Sequence, residues 1–325
     1  MGQKVFAEGV AKDIKDFLSP AYTDVECVVV EKRKNNGTVR VGLAFQRPGE
    51  LISPIIYVEP FYQEICQGKP TGEVMEKIAD TAQEIMERNH FRDFPGIEDY
   101  EKIKKYLEVK IVNTKANRRE LKGLVHRENE DLSLIPFLRF SERAACGNVE
   151  ISHELMDLWE VSADMVMDQA WENTWQKKPP MLRGLGEILH IEIEGHPPEG
   201  NLLEEMNHMK ERPREPAYVL SSRGGTNGAA YLASPEVMKR ISGLFPEGFY
   251  LLPSSVHEIL VLPKYKGGLG WEKTPFELGE MVREVNRTCV EREEILSDRI
   301  YEYDKESGKI RQVPESIKKE RGMER

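Results

Sequence analysis

The stretch Tyr218–Pro263, YVLSSRGGTNGAAYLASPEVMKRISGLFPEGFYLLPSSVHEILVLP, decides the fold that this sequence predicts. Its first apolar run, 218–220, meets a second, 229–232, across the polar loop 221–228. The glycines and the asparagine of that loop tolerate positive φ angles. The pattern therefore predicts a β-hairpin with a long polar loop.

A helix and two more strands are predicted in the rest of this stretch. Ser234 and Pro235 are residue types that favour the N-cap and the first turn of a helix. Two short β-type runs follow, 248–252 and 258–262, and prolines bound both of them. Together with the hairpin, these elements predict a ββαββ unit.

Hairpins followed by helices also begin near residues 24 and 132. In the first, Asn36-Gly37 is among the strongest short-range hairpin signals. We find no residue-level repeat behind the three occurrences. They therefore indicate an α+β architecture and not a solenoid. The predicted fold class is α+β, with hairpin-built, mainly antiparallel sheets covered by helices.

We predict two main portions and a tail. Residues 1–113 form an N-terminal α+β portion, and residues 128–300 form a C-terminal portion that contains the 218–263 unit. Residues 301–325 are predicted to form a small hairpin and a frayed end. Prolines cluster in 195–216, which predicts a linker or a surface excursion.

Composition excludes several classes of protein. With 46 Lys and Arg against 56 Asp and Glu, the net charge of −10 argues against a protein that coats nucleic acid. No apolar run approaches the roughly 18 residues of a membrane helix, so we expect no membrane partner. The N-terminus lacks the apolar core of a secretory signal. Four scattered cysteines without CxxC spacing predict reduced thiols in apolar surroundings, and hence a cytoplasmic location.

Several segments carry a resemblance that covers nearly the whole chain. They are KNNGTVRVGLAF, SPIIYVEPFYQ, VSADMVMDQAWENTW, TNGAAYL, LLPSSVHEILVLP and LGEMVREVNRTCVEREEILSDRIYEYD. On these segments the chain resembles the bacterial family called domain of unknown function 5688. Three of them are also similar in order and type to domain of unknown function 1444, which suggests a shared α+β fold.

Neither family brings an established activity with it. The resemblance implies a cytosolic protein of bacteria with fermentative, often gut-dwelling relatives, and a link to mobile-element gene neighbourhoods. The segment from about 191 to 216 departs from the family pattern as an insert, so the resemblance implies no role for it.

Ser254, Ser255 and His257 form the sharpest candidate for chemistry, since a nucleophile needs a base within hydrogen-bond reach. In an extended segment Ser255 and His257 share a face while Glu258 points to the other, so these neighbours cannot form a triad alone. The alternative is a turn whose hydroxyls satisfy backbone groups.

The loop Arg223–Gly228 is a candidate anion site. Glycine-rich turns present backbone N–H groups, and an arginine can hold a carboxylate or phosphate with two hydrogen bonds. Arg223 and Asn227, with Glu258 nearby in sequence order, are the binding residues that the sequence suggests. The loop lacks the GK[ST] ending of a phosphate-binding P-loop, so a plain hairpin loop is the alternative.

We predict no metal and no cofactor. His190, Glu192, Glu194 and His196 would share one face of a strand, but in a helix only His190 and Glu194 align. A solvated acidic face is the preferred interpretation of this segment.

Two hypotheses for function follow. The first is a non-catalytic interaction or regulatory protein with an unidentified protein partner; a homodimer is left open. The alternative is a hydrolase that uses Ser254 or Ser255 with His257 and the anion-binding loop Arg223–Gly228. The hydrolase requires serine, histidine and a distant carboxylate to converge.

Overall fold

The computed structural model describes residues 2–48, 53–88, 96–139, 148–194, 200–205, 215–265 and 273–314. The chain divides into two units, the first formed by 1–103 with 139–148 and the second by 104–138 with 149–325. In these described ranges, no helix combines the length and the apolar character needed to cross a bilayer.

The first unit has a three-stranded antiparallel sheet in the order β1-β2-β3, with helices beside it. Phe6 of the first helix, Leu43 and Phe45 of the second strand and Ile78 of the third helix are buried in one shared core. The elements are α1 (Gln3–Asp13), β1 (Glu26–Arg33), β2 (Val39–Gln46), β3 (Ile55–Tyr57), α2 (Glu59–Cys66), α3 (Thr71–Arg88) and α4 (Tyr100–Ile103).

The predicted hairpin around Asn36-Gly37 is confirmed. β1 pairs with β2 in antiparallel register from Glu26↔Gln46 to Arg33↔Val39. Both turn residues have positive φ angles, 58° at Asn36 and 68° at Gly37, which these residue types adopt at low cost.

The second unit holds two sheets. One contains six strands in the order β13-β12-β10-β11-β9-β8, and the other has the path β4-β6-β5 with β7 on β6. Its strands are β4 (Leu107–Asn113), β5 (Arg127–Asn129), β6 (Leu132–Arg139), β7 (Asn148–Glu150), β8 (Pro180–Gly184), β9 (Tyr218–Ser222), β10 (Phe249–Leu252), β11 (Ile259–Pro263), β12 (Tyr301–Asp304) and β13 (Lys309–Gln312). Its helices are α5 (Arg118–Leu121), α6 (His153–Trp159), α7 (Ala163–Lys177), α8 (Leu185–Glu194), α9 (Leu202–Glu205), α10 (Pro235–Leu244) and α11 (Pro275–Thr288). The strands of both sheets pair antiparallel, and the predicted α+β class is confirmed.

The boundary between the two units falls before β4, ahead of the predicted boundary at residue 113. β4 pairs with β6 along its whole length and lies in the second unit. The hairpin predicted after residue 300 is present as β12 and β13, and β12 also pairs with β10. Residues 315–325 lie outside the described residues.

The prediction of a ββαββ unit is wrong for its second strand, which was placed at 229–232. Residues Gly228–Ala233 form a 3-10 helix, and β9 pairs with β11 and β8 instead. The run Ala229–Leu232 is buried on every side, so its apolar character reflects complete burial and not a strand face. A short apolar run does not distinguish these two cases.

The spacing of Leu182, Leu185, Ile188 and Leu189 predicts a helix from Met181 to about Glu192, and the start of this predicted helix is wrong. Residues Pro180–Gly184 form the edge strand β8, in register with β9 from Pro180↔Ser222 to Gly184↔Tyr218, and the helix α8 begins at Leu185. Leu182 is fully buried in this sheet, where it pairs with Leu220 of β9. The helical spacing of the apolar residues does not reveal this strand pairing.

Three helices begin at residue types that predict an N-cap, namely Ser162, Ser234 and Thr274, the last with Glu277 three positions on. The hydroxyl of Ser234 accepts a hydrogen bond from the Val237 N–H at the start of α10, and Ser162 does the same for α7. Thr274 and Glu277 form a complete capping box on α11. Such caps satisfy N–H groups that have no partner inside the helix.

The cysteines differ from the prediction of buried thiols. Cys27 is half-buried, while Cys66 and Cys289 are exposed, and all three are free. Burial raises the pKa of the Cys27 thiol to about 12, which makes it a weak nucleophile. Cys146 lies outside the described residues.

Side-chain amides cover two sheet edges in the second unit. The Asn201 carboxamide accepts from Leu182 N–H at 3.1 Å and donates to the Pro180 carbonyl at 3.0 Å, on the free edge of β8. Asn173 of α7 donates to the Leu107 carbonyl at 2.9 Å on the edge strand β4. Unpaired strand edges are templates for association, and these amides occupy them.

We expect Asn201→Ala to lower the free energy of unfolding by about 2–3 kcal/mol, because it leaves buried backbone groups of β8 unsatisfied. Urea unfolding followed by circular dichroism measures the change. Asn148→Ala is the matched control, since Asn148 is exposed. Equal stability of the two variants would show that Asn201 does not hold the edge.

Candidate functional site

The loop after β9 is shaped by its own backbone. Gly224 and Gly225 have φ angles of 100° and 69°, and Asn227 has 57°. The hydroxyl of Ser222 donates to the Thr226 carbonyl at 2.8 Å. A Cβ atom on Gly228 would lie 2.4 Å from the Ser222 nitrogen, so the chain requires glycine at this close approach.

The serine turn 253–257 is held by a segment from far along the chain, residues 294–296. Val256 N–H donates to the Glu294 carbonyl at 2.9 Å, and Leu296 N–H donates to the Ser254 carbonyl at 3.0 Å. Ser255 and Ile295 form an isolated antiparallel bridge. This pairing brings the side chain of Glu294 beside the turn.

His257 joins the turn, the loop and Glu294. The backbone N–H of Asn227 donates to Nδ1 of His257 at 3.2 Å. Nε2 of His257 lies 3.4 Å from Oε1 of Glu294. Because Nδ1 accepts a hydrogen bond, the ring proton is assigned to Nε2, where it faces the carboxylate.

The imidazole is therefore occupied on both nitrogens. A proton on Nδ1 would point at the Asn227 N–H, and since both groups would then be donors, the hydrogen bond to the loop would be lost. The side chains of His257 and Glu294 are 34% and 41% exposed, so solvent screens their attraction. The hydroxyl of Ser221 fixes the same residue by donating to the His257 carbonyl at 2.9 Å.

The predicted nucleophiles take other partners. The Ser255 hydroxyl accepts from the backbone N–H of His257 at 3.1 Å, which is the local turn expected as the alternative to catalysis. Among the residues that the structure describes, no serine hydroxyl lies at hydrogen-bond distance from the His257 ring. Ser254 is half-buried, and its carbonyl oxygen accepts from Leu296 N–H.

The predicted binding residues are brought together only in part. Asn227 contributes its backbone N–H to the histidine, while Glu258 is exposed. Arg223 is exposed as well, and its backbone N–H donates to the Pro179 carbonyl at 2.9 Å. Burial lowers the pKa of the Arg183 guanidinium on β8, and the charge of Arg223 contributes to that lowering.

Glu294 is the member of this cluster that sequence reasoning missed. It lies 37 positions from His257, and its neighbourhood EREEIL has the appearance of an ordinary charged helix end. The only usable signal was that the same region contributes to the resemblance to the family.

The segment considered for metal ligands is helical. His190, Glu192 and Glu194 lie in the helix α8, so they do not share one face of a strand. The side chains of 190–194 and the whole of His196 lie outside the described residues. In the described part of the chain, no group of three His, Cys, Asp or Glu side chains is arranged to hold a metal ion.

Comparison with known proteins identifies the family. No curated protein matches the chain, and no solved structure matches it. The likeness to domain of unknown function 1444 stays a prediction. One family profile, described as a family of unknown function (DUF5688), matches residues 3–305. With nearly its whole length matched and the predicted fold class present, the chain belongs to the DUF5688 family.

Proposed function

We propose that this protein is a non-catalytic interaction or regulatory protein of the bacterial cytoplasm. The observation that carries the proposal is the hydrogen bonding of His257, whose two ring nitrogens face the Asn227 N–H and the Glu294 carboxylate. A general base needs a free nitrogen toward its nucleophile. The arrangement instead fastens two loops to each other.

Free thiols support the cytoplasmic location, since exposed cysteines such as Cys66 and Cys289 persist in reducing compartments. The link to mobile genetic elements rests on the family resemblance alone. The described surface does not indicate which protein partner binds, or whether the chain forms a homodimer. Capture of the tagged protein from its host tests both possibilities.

The hydrolase is the second candidate, and one observation favours it. A distant carboxylate, Glu294, does converge on His257, as the hydrolase hypothesis required. To act as a base toward Ser254 or Ser255, however, the imidazole would have to leave the Asn227 N–H. The carboxylate also faces Nε2, while Nδ1 is held by the loop.

A fluorophosphonate probe, which labels activated serines, tests the proposal. We expect the purified protein to react no faster than its heat-denatured form, with a known serine hydrolase as positive control. Labelling at Ser254 or Ser255 that disappears in His257→Ala would overturn the proposal and establish the hydrolase.

Capture of the tagged protein from its own host is the second arm of the test. We expect a protein recovered near one-to-one, and retained by the Ser255→Ala variant. Ser255→Ala removes the candidate nucleophile with little effect on the exposed surface. A clean monomer or homodimer with no companion would count against the interaction hypothesis, while the probe result decides about catalysis separately.

A further inference from the structure

An apolar cleft lies on one face of the six-stranded sheet. Its floor consists of two cross-strand pairs of β10 and β11, Tyr250↔Leu262 and Leu252↔Leu260. Leu278 and Met281, one turn apart on α11, form a wall. The cleft has a volume of about 380 Å³, which is within the range of small-molecule sites.

The cleft is open to solvent at several large apolar side chains. Tyr250, Leu260 and Leu262 are only half-buried, although their neighbours Leu251 and Val261 on the opposite face of the sheet are fully buried. Met281 is 38% exposed. Apolar surface left in contact with water favours a ligand that covers it.

Two lysines line the same cleft, Lys264 after β11 and Lys273 before α11. The ammonium of Lys264 is 2.9 Å from the Glu302 carboxylate and lies over the Tyr250 ring, 4.1 Å from its centroid. Lys273 is exposed, and within the described ranges no carboxylate lies at ion-pair distance from it. The rim therefore carries one cation without such a pair.

Two carboxylates that neighbour cleft residues in the chain, those of Glu277 and Glu215, already accept hydrogen bonds within the protein. Glu277 accepts from the N–H and the hydroxyl of Thr274 in the capping box, and these bonds, with a smaller effect from the positive charge of Lys273, hold the pKa of its carboxyl below the usual value. The carboxylate of Glu215 accepts from the Gly186 N–H at 2.8 Å. Neither carboxylate is hydrogen-bonded to Lys273.

We propose that this cleft binds a small amphipathic anion, an unbranched alkyl carboxylate whose chain lies between β10, β11 and α11 and whose head group meets Lys273. The apolar floor and wall fit the chain, and the exposed ammonium complements the carboxylate. This binding site is formed by residues other than the serine–histidine cluster, and it does not depend on the proposed interaction function.

Isothermal titration of the full chain with sodium decanoate, kept below its micelle concentration, tests the site. We expect saturable one-to-one binding. Met281→Trp should weaken it at least about tenfold by filling the cleft. Lys273→Glu should weaken decanoate at least about threefold and leave 1-decanol unchanged, because only the carboxylate interacts with the charge.

Matched controls separate the site from general effects. Met165→Trp places the same side chain at another exposed helical methionine, and Lys239→Glu reverses another exposed lysine. Both should bind like the wild-type chain. Absence of saturable heat, or equal effects of the cleft and control variants, would overturn the proposal. Equal weakening of decanoate and decanol by Lys273→Glu would refute the role of the charge.

Discussion

Lys178→Met is expected to lower the free energy of unfolding by about 3–5 kcal/mol, because it breaks a buried ion pair. Lys178 follows α7 and places its ammonium 2.8 Å from the carboxylate of Glu108 on β4. The two side chains are only 15% and 4% exposed. Removing the cation leaves a charged carboxylate in a poorly solvated place, which costs more than the pair contributes.

The surroundings of this pair make relaxation difficult. The Tyr231 hydroxyl donates to the Lys178 carbonyl at 2.6 Å, and the rings of Trp171 and Trp175 each lie 5.9 Å from the Tyr231 ring. Burial raises the pKa of Tyr231, and the charge of Glu108 raises it further. Water therefore cannot easily replace the lost ammonium.

Urea unfolding of three variants measures this effect. The double variant Glu108→Leu with Lys178→Met should recover at least about 2 kcal/mol of the loss, because it removes both charges. Lys110→Met is the matched control, since Lys110 pairs with Glu150, which is 43% exposed; we expect a loss below about 1 kcal/mol. A Lys178→Met variant as stable as the control would show that the pair is not buried in solution.

Local signals predicted the fold where the interaction itself is local. The Asn36-Gly37 turn and the Thr274–Glu277 capping box depend on residues next to each other, so their residue types alone determine the geometry. The prediction of a strand at 229–232 was wrong, because the apolar character of this run reflects burial on all sides. Such burial depends on which other parts of the chain pack around the run.

The sequence could predict only those contacts of the candidate site that join residues close to each other in the chain. The bond between Ser255 and the His257 N–H spans two positions and follows from turn chemistry. The approach of Glu294 to His257 depends on the antiparallel bridge between Ser255 and Ile295, a pairing with no local signature. For the same reason Asp131, which the sequence places in a polar stretch, showed no sign of a structural role.

Asp131 is an acceptor that joins the two sheets of the second unit. It lies in the short turn between β5 and β6, and its carboxylate accepts from the Ser297 hydroxyl at 3.1 Å and from Gln312 Nε2 at 3.0 Å. The Tyr301 hydroxyl also donates to it. Burial raises the pKa of Tyr301, and the negative charge of Asp131 raises it further. The phenol consequently stays a donor.

Asp131→Ala should therefore lower the free energy of unfolding by about 3 kcal/mol, because three donors lose a charged acceptor and Tyr301 is fully buried. Asp157→Ala, at an exposed position on α6, should change it by less than about 0.5 kcal/mol. A double-mutant cycle with Tyr301→Phe isolates the shared bond, and we expect a coupling of about 1–2 kcal/mol. Additive effects would mean that the tyrosine and the aspartate stabilise the unit independently. A measurable coupling would instead place the contact between the two sheets among the interactions that fix the C-terminal unit, although its partners lie 170 positions apart.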